Sequence, residues 1–535
     1  MAFTSFNFLV FLALVITVYY LVPKKYQWCV LLAASYGFFL SAGIPHLLFV
    51  LASTLFTYGA GRWMQKIRDD FQAQLKTLGD TVTKDQKKEM KKAVSAKIRR
   101  IQVLTVLINL GVLVCIKCMN FFIGNINNLL AFFTWDASIP TVNLLVPLGL
   151  SYYTFNSIGY LVDVGRGKLA AEKHLGKFAL FTSFFPSIVQ GPLFRFGDVG
   201  TQLQQEHPLQ YNNIKNGALL ILWGFFKKLV IADRVATIAA TIFAPGFSYT
   251  GSHVFLAVLA YSFQIYCDFS GGTDITRGAA QMMGITLPEN FNRPFFATSM
   301  ADFWRRWHMS LGAWMREFVF YPIMLSKGVS GLSKKFRKRW GAYAGKMVPS
   351  VAAPMVVFFL IGIWHGLTWQ YITNGLYNAL LISSSVALTP VYDWLAAKLH
   401  VNRECFAFRL FQMLRTFVLL CFSRIIVKAP NLGEAMNMIK ALFTHWDLKF
   451  LLGMDGTLFT DYGVTLRGFC IVFFSIGILF VIGVMQERGV KIRETLSSKP
   501  LVIRWGIILA LLAFILVFGV YGPAYDSSSF IYGGF

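Results

Sequence analysis

The stretch Phe469–Met485, FCIVFFSIGILFVIGVM, contains no charged residue and approaches the ~20 apolar residues that a helix needs to cross lipid hydrocarbon. Similar apolar stretches recur along the chain: Phe8–Val22, Ile101–Ile123 and Trp505–Tyr521. Hydrophobic residues make up 56% of the 535 residues and charged residues only 14%, whereas soluble proteins carry roughly 25% charged residues. The sequence therefore predicts an all-α polytopic membrane protein in a lipid bilayer, with about twelve crossings.

The net charge of +25 is concentrated between the apolar stretches. Residues 62–100 hold twelve Lys or Arg against five Asp or Glu, and two further basic loops are Lys334–Arg339 and Glu487–Arg504. A nucleic-acid-binding protein would instead carry its basic residues as a stripe on a soluble face, so this class is excluded. Basic loops between apolar helices are typical of the cytoplasmic side of a membrane, and 62–100 is amphipathic enough to lie on anionic lipid.

Other loops are poor in basic residues. Residues 125–141 and 523–535 contain no Lys or Arg, and the loop at about 429–464 is nearly balanced in charge. These segments are therefore expected outside the cell, which places both termini outside and makes the number of crossings even.

Two apolar segments, 174–200 and 286–325, are interrupted by prolines. Irregular backbone at membrane depth survives only where protein buries it or where it borders a cavity. Re-entrant segments around a central cavity are therefore expected here.

His365 lies in the apolar stretch FFLIGIWHGLTW, Phe358–Trp369. An imidazole in such surroundings must be hydrogen-bonded or face a cavity, and its ordinary pKa suits proton transfer near neutrality. Spacing alone leaves two interpretations open: a core histidine bonded to a carbonyl, or a general base.

His308 lies in ADFWRRWHMSLGAWMREF, Ala301–Phe318. A continuous helix would place Trp304 and His308 on one face, with Arg305 and Arg306 elsewhere. These aromatic and basic residues fit either a membrane-interface belt or a pocket for an anionic donor.

The stretch YCDFSGGTDITRG, Tyr266–Gly278, brings Asp268, Asp274 and Arg277 into an apolar region. A buried salt-bridge cluster and a binding site are equally compatible with it. The sequence contains no G-x-S-x-G, H-E-x-x-H or Walker pattern, so no metal is expected.

From about residue 145 to 380 the sequence resembles the membrane-bound O-acyltransferases (MBOAT), in the bacterial branch of alginate O-acetylation, peptidoglycan O-acetylation and teichoic-acid D-alanyl transfer membrane proteins. The motifs that carry the resemblance are SYYTFNSIGYLVDVGRG (Ser151–Gly167), FFPSIVQGPLFR (Phe184–Arg195), DFSGGTD (Asp268–Asp274), ENFNRPF (Glu289–Phe295), WRRWHMSL (Trp304–Leu311) and IGIWHG (Ile361–Gly366).

The resemblance implies a ring of tilted helices around a central tunnel and a catalytic role for His365 and His308. Other residues in the motifs are expected to bind substrate or donor, or to support the site: Trp304, Arg305, Arg306, Trp307, Asp268, Asn290, Asn292 and Trp364. It also implies a thioester donor, either acetyl-CoA or an acyl-carrier protein, an extracellular SGNH-type transferase as partner, a polysaccharide acceptor, and the cytoplasmic membrane of a bacterium as location.

On this basis the chain is expected to comprise four segments: N-terminal transmembrane helices in 1–124, a catalytic core in 125–390, C-terminal transmembrane helices in 391–522 and an extracellular tail in 523–535. The tail ends in FIYGGF, which resembles an F-x-Y-x-x-F tail of the same branch. The resemblance suggests that Tyr532 carries the acyl group or docks the partner.

The expected function is O-acylation, with acetyl, of an extracytoplasmic polysaccharide or cell-wall polymer. D-alanyl transfer to teichoic acids is the alternative, because the GLTW after His365 is closer to that branch and Arg316-Glu317-Phe318 departs from the alginate type. A transporter or flippase would also explain the spans and buried histidines, but it predicts paired repeats that the sequence lacks. A non-catalytic scaffold would not require His365.

Overall fold

The computed structural model describes residues 1–135, 137–454, 456, 458, 462 and 464–521. Within these ranges the regular structure is helical, and the one β pairing is a single bridge between Phe291 and Trp307. The predicted all-α class is confirmed. Tyr532 and the rest of the expected tail lie outside the described residues.

Seven helices of the described chain are long and apolar enough to cross a membrane: Ile44–Leu78, Lys84–Phe132, Gly251–Met282, Lys327–His365, Phe406–Lys428, Leu466–Glu487 and Leu501–Phe518. A pair bent by 56°, Trp369–Ala387 with Thr389–Lys398, gives an eighth if it is one broken span. The polytopic architecture is thus confirmed. The crossing number of about twelve stays a prediction, because length and composition alone select these helices.

The chain divides into two compact units. The first comprises Met1–Ala218 and Thr276–Pro288, and the second comprises Leu219–Ile275 and the described part of Glu289–Gly534. The expected division at 124, 390 and 522 is not tested by these units and stays a prediction.

Unit 1 contains α1 to α6 and the beginning of α7. Their bounds are α1 Phe6–Leu21, α2 Gln27–Leu40, α3 Ile44–Leu78, α4 Lys84–Phe132, α5 Leu150–Arg166, α6 Leu175–Ser183 and α7 Tyr211–Phe225. After α6 the backbone is irregular up to a π-helical turn at Phe196–Gly200. The interruption predicted for 174–200 is therefore present.

α4 is much longer than a membrane crossing requires. Its 49 residues extend about 73 Å, more than twice the ~30 Å of hydrocarbon. A capping box fixes its first turn, in which the Thr83 hydroxyl accepts from the Gln86 N–H and the Gln86 side chain accepts from the Thr83 N–H. The basic residues of 62–100 thus lie mainly on the end of α3 and the start of α4 rather than in a loop.

α5 is buried along almost its whole length, and its hydroxyls differ in their bonding. The Tyr160 hydroxyl accepts from the Glu172 N–H at 2.9 Å, and its ring lies so close to Gly61 that a Cβ there would be 2.9 Å away. The hydroxyls of Tyr152 and Tyr153 are buried and have no hydrogen-bond partner among the described residues. Among the described residues, α5 therefore carries one phenol that is hydrogen-bonded and two that are not.

Unit 2 contains most of the remaining helices. They are α8 Asp233–Ile242, α9 Gly251–Met282 (whose last residues belong to unit 1), α10 Met300–Arg306, α11 Met309–Met315, α12 Tyr321–Met324, α13 Lys327–His365, α14 Trp369–Ala387, α15 Thr389–Lys398, α16 Phe406–Lys428, α17 Leu432–Thr444, α18 Leu448–Leu451, α19 Leu466–Glu487, α20 Ile492–Ser497 and α21 Leu501–Phe518. π-helical turns occur at Phe226–Ala232 and Arg316–Phe320. The short elements between Met300 and Met324 agree with the interruption predicted for 286–325.

α13 is bent sharply near its middle. Trp340 and Gly341 leave helical geometry, and Gly341 has a φ of 87°, which favours glycine. The Ser333 hydroxyl donates to the Gly345 carbonyl at 2.6 Å, a contact that a straight helix would not allow. The basic cluster Lys334–Arg339 therefore lies on an arm that turns back along the apolar half of α13.

Candidate active site

His308 lies between two short helices, not within one. α10 ends at Arg306, and His308 adopts the left-handed conformation with φ 44° and ψ 53° before α11 begins. The prediction that Trp304 and His308 share one helical face is therefore wrong. The physical cause is a competing backbone pairing: the Asn292 N–H donates to the Arg306 carbonyl and the Met309 N–H donates to the Asn290 carbonyl, both at 2.9 Å.

A left-handed conformation is uncommon for a residue other than glycine and costs roughly 1–3 kcal/mol, so the surroundings must hold it in place. The ENFNRPF motif supplies this support because its backbone pairs with that of residues 306–309 on both sides of His308. The backbone of these two sequence motifs thus determines where the imidazole lies.

The His308 side chain is 3% exposed. Its Nδ1 lies 3.1 Å from Asn290 Oδ1, and its Nε2 has no hydrogen-bond partner among the described residues. The rings of Phe269 and His308 are perpendicular to each other, with their centroids 4.8 Å apart. A buried imidazolium without a partner for its Nε2–H is costly, so these surroundings favour the neutral imidazole.

His365 is the last residue of α13 and is half-buried. The chain turns at Gly366, which has a φ of 157°, and α14 starts at Trp369, after the cap Thr368. α13 and α14 approach closely because Gly362 and Gly375 lack side chains: a Cβ on Gly362 would lie 2.5 Å from the Tyr371 carbonyl oxygen. A tight turn between two closely packed helices therefore places His365.

The two histidines share one aromatic neighbour, Trp364. The Trp364 ring is 5.9 Å from the His308 ring and 4.6 Å from the His365 ring. The Tyr371 ring stacks on the His365 ring, with the ring centroids 5.9 Å apart. Two imidazoles that are 57 positions apart in the sequence are thus brought to one aromatic cluster.

The other residues predicted around His308 have different roles. Trp304 Nε1 donates to Asn378 Oδ1 at 3.1 Å, which ties α10 to α14. Arg306 is paired with Asp302 at 3.1 Å and also with Glu487, so its charge is neutralised within the protein. Arg305 lies 3.6 Å from Asp302 in a looser ion pair, and its side chain is 64% exposed, so its guanidinium stays accessible to solvent.

Trp307 and Asn292 contribute to packing and backbone order. The buried Trp307 ring lies 5.0 Å from Phe291 and 5.4 Å from Phe303. Asn292 contributes the backbone N–H already described. Both residues therefore support the conformation of the His308 segment.

Asp268 belongs to a buried ionic cluster. Lys228 Nζ lies 2.6 Å from Asp268 Oδ1 and 2.7 Å from Asp233 Oδ1, while Lys227 Nζ lies 2.7 Å from Asp274 Oδ2. The side chains of Lys228 and Asp268 are 1% and 2% exposed. This geometry favours the salt-bridge interpretation of the DFSGGTD motif over a substrate site.

Sequence reasoning missed Lys227 and Lys228. The signal was present, because the two lysines interrupt the apolar stretch WGFFKKLVIAD, Trp223–Asp233, and ionisable residues in such stretches are costly unless paired. The Phe226–Ala232 π-helical turn carries both lysines toward partners on α8 and α9. Within the described ranges no group of three or more His, Cys, Asp or Glu suited to a metal ion is found.

These features define a polytopic membrane protein with two buried or half-buried histidines that pack against the same indole at helix ends. Residues 168–427, which contain both histidines, match the membrane-bound O-acyltransferase family. The chain is 31% identical to a probable alginate O-acetylase AlgI of Azotobacter vinelandii, over 84% of this chain and 79% of that protein.

The names of two other relatives refer to cell-wall polymers. A peptidoglycan O-acetyltransferase of Helicobacter pylori is 28% identical over 64% of each chain, and a teichoic acid D-alanyltransferase of Bacillus subtilis is 32% identical over 46% of this chain and 60% of its own. The chain belongs to the membrane-bound O-acyltransferase family, and it is an acyltransferase.

Proposed function

We propose that this protein moves an acetyl group from a cytoplasmic thioester to a hydroxyl of an extracytoplasmic polysaccharide or cell-wall polymer. The observation that carries the proposal is the packing of His308 and His365 against the same indole, Trp364. The relatives support the class of acceptor, because their names include alginate, peptidoglycan and teichoic acid. Acetyl is favoured because the alginate O-acetylase covers 84% of the chain and the D-alanyltransferase 46%.

In this mechanism His365 is the general base. Its neutral imidazole takes the proton of the attacking hydroxyl as the oxygen bonds to the thioester carbonyl carbon. The C–S bond then breaks, and the imidazolium returns the proton to the departing thiolate. General acid–base catalysis of this kind increases the reaction rate by about 10²–10⁴-fold.

The donor is acetyl-CoA or an acyl-carrier protein, and no metal takes part in the proposed steps. An acyl group that is passed along a tunnel need not take its charged carrier across the bilayer. The ring of helices, the tunnel and the location in a bacterial cytoplasmic membrane, with both termini outside, belong to this proposal.

The first acceptor in the proposal is the Tyr532 phenol, which passes the acyl group as an ester to an extracellular SGNH-type transferase. A phenol is a poor nucleophile at neutral pH unless a base assists it. Tyr532→Phe keeps the aromatic ring and removes the nucleophilic oxygen. If this variant acylates the polymer at the wild-type rate, the tail only docks the partner protein.

The decisive experiment replaces His365 with Ala. We expect acylation of the polymer to be lost while expression and membrane insertion remain, and mass spectrometry of the polymer identifies the acyl group in the wild type. Leu367→Ala, two residues away, is a packing control that should keep most activity. Normal polymer acylation by a well-expressed His365→Ala protein would refute the assignment, and D-alanyl esters in the wild type would change the donor.

A further inference from the structure

Asn290 has an unusual concentration of donors around one oxygen. Its Oδ1 lies 3.1 Å from the Ser310 backbone nitrogen, 2.9 Å from Ser310 Oγ and 3.1 Å from His308 Nδ1. Asn290 is completely buried, and its Nδ2 has no partner among the described residues. The whole hydrogen-bonding role of this side chain is thus carried by its oxygen.

The orientation of the amide follows from chemistry rather than from a choice of fit. The oxygen and nitrogen of an asparagine amide are assigned from the hydrogen-bond network, and a backbone N–H can only donate. The Ser310 N–H therefore requires the oxygen, not the NH₂ group, at the position that faces it. Since the same oxygen faces His308 Nδ1, that nitrogen must carry a hydrogen.

We infer that Asn290 is a positioning residue that holds His308 in the Nδ1–H tautomer, so that His308 Nε2 presents a lone pair and accepts a hydrogen bond during acyl transfer. The tautomer itself rests on the contacts above and on burial, because a buried imidazolium would leave its charge and its Nε2–H without a partner among the described residues. The role in acyl transfer rests on the proposed function.

The lone pair sets what His308 does in the reaction. A neutral imidazole with a free Nε2 accepts a hydrogen bond but donates none from that atom, so it does not act as an oxyanion-stabilising donor. Its Nε2 is buried and has no partner among the described residues, which leaves it available to a donor that arrives with substrate.

The direct test observes the tautomer in the intact protein. Protein with ¹⁵N-labelled histidine is reconstituted in liposomes, and solid-state NMR compares it with His308→Gln to assign the two ring nitrogens of His308. We expect a protonated Nδ1 and an unprotonated Nε2. A protonated Nε2 in the wild type would overturn the inference, whether or not the protein acylates a polymer.

Two substitutions of Asn290 test the function of the contact. Asn290→Leu removes the acceptor with a side chain of similar shape. Asn290→Asp keeps an oxygen opposite His308 Nδ1 and puts a second oxygen, which can carry a negative charge, in place of the NH₂ group that has no partner among the described residues. Partners that orient metal-bound histidines typically contribute 10–100-fold, and we expect a decrease in kcat of that order in Asn290→Leu, with little change in KM. Asn290→Asp should keep the hydrogen on His308 Nδ1, which the same NMR measurement checks, whatever its added charge does to kcat.

Ser310→Ala is the matched control. It removes one donor to the same oxygen but leaves the backbone N–H that fixes the amide, so the tautomer and kcat should stay close to those of the wild type. Wild-type kcat in Asn290→Leu would overturn the inference, and so would a folded Asn290→Asp protein whose His308 Nδ1 carries no hydrogen. A wild type that acylates nothing would instead refute the proposed function and leave the NMR result to decide the tautomer.

Discussion

Removing the Lys228 ammonium tests what the buried ionic cluster contributes to stability. In Lys228→Met the carboxylates of Asp268 and Asp233 both lose an ammonium that lies within 2.7 Å. The long side chain is replaced by an apolar one of similar length, so the change removes charge with little loss of volume. The substitution therefore isolates the electrostatic contribution.

The expected magnitude follows from burial. Breaking a buried ion pair by removing one partner costs about 3–5 kcal/mol, because a charge remains buried without compensation. An entropy of unfolding of about 2.1 cal/mol/K per residue converts this into a decrease of roughly 3–8 °C in the melting temperature, depending on whether the whole chain or unit 2 alone unfolds. Lys87→Met, at an exposed position, should change the free energy of unfolding by no more than about 0.5 kcal/mol.

The assay is thermal unfolding in detergent and in liposomes. It is monitored through the fraction of protein that remains monodisperse after heating. A triple variant with Lys228→Met, Asp233→Leu and Asp268→Leu replaces the cluster with apolar side chains, which is often neutral, and should recover most of the loss. A melting temperature of Lys228→Met within 1 °C of wild type would show that these contacts do not stabilise the fold.

Three further predictions follow from other parts of the chain. Tyr153→Phe removes a buried hydroxyl that has no partner in the described chain, so it should be neutral or stabilising in thermal unfolding. Tyr160→Phe breaks a hydrogen bond to a backbone N–H and should lower the free energy of unfolding by about 1–2 kcal/mol. Equal losses in the two variants would contradict this. Gly362→Val should destabilise the protein by at least about 1–3 kcal/mol and reduce acylation, because even a Cβ there would lie 2.5 Å from a carbonyl oxygen of the next helix. A variant as stable as the wild type would argue against that close packing. In a cysteine-free background, an impermeant thiol reagent should label position 528 from outside and should not label position 88 (Lys88 in the wild type), and the opposite pattern would invert the orientation.

Local composition predicted a chain that crosses the membrane several times, because burial in lipid requires a continuous apolar stretch of a set length. The stretches Ile101–Ile123, Phe469–Met485 and Trp505–Tyr521 lie in or overlap three of the seven apolar helices of the described chain, and the number of about twelve crossings stays a prediction. Local composition also marked His365 and His308 as candidates, since an imidazole in an apolar stretch is costly without a function or a partner, but their catalytic role came from the family resemblance and stays a prediction. The interruptions in 174–200 and 286–325 followed from proline, which removes a backbone donor and tends to kink or break a helix.

The tertiary structure alone decided which partner each polar side chain contacts. Trp304 bonds to Asn378, 74 positions away, and Lys228 joins carboxylates on two different helices, so no local period encodes either contact. The segment around His308 shows most clearly that local sequence does not encode such contacts. Its sequence fits a continuous helix, yet the backbone can pair with Asn290 and Asn292 only if the helix stops at Arg306. The sequence alone thus determined which groups must be buried, and the fold determined how each buried donor and acceptor is satisfied, because hydrogen bonds and ion pairs depend on distances that only packing sets.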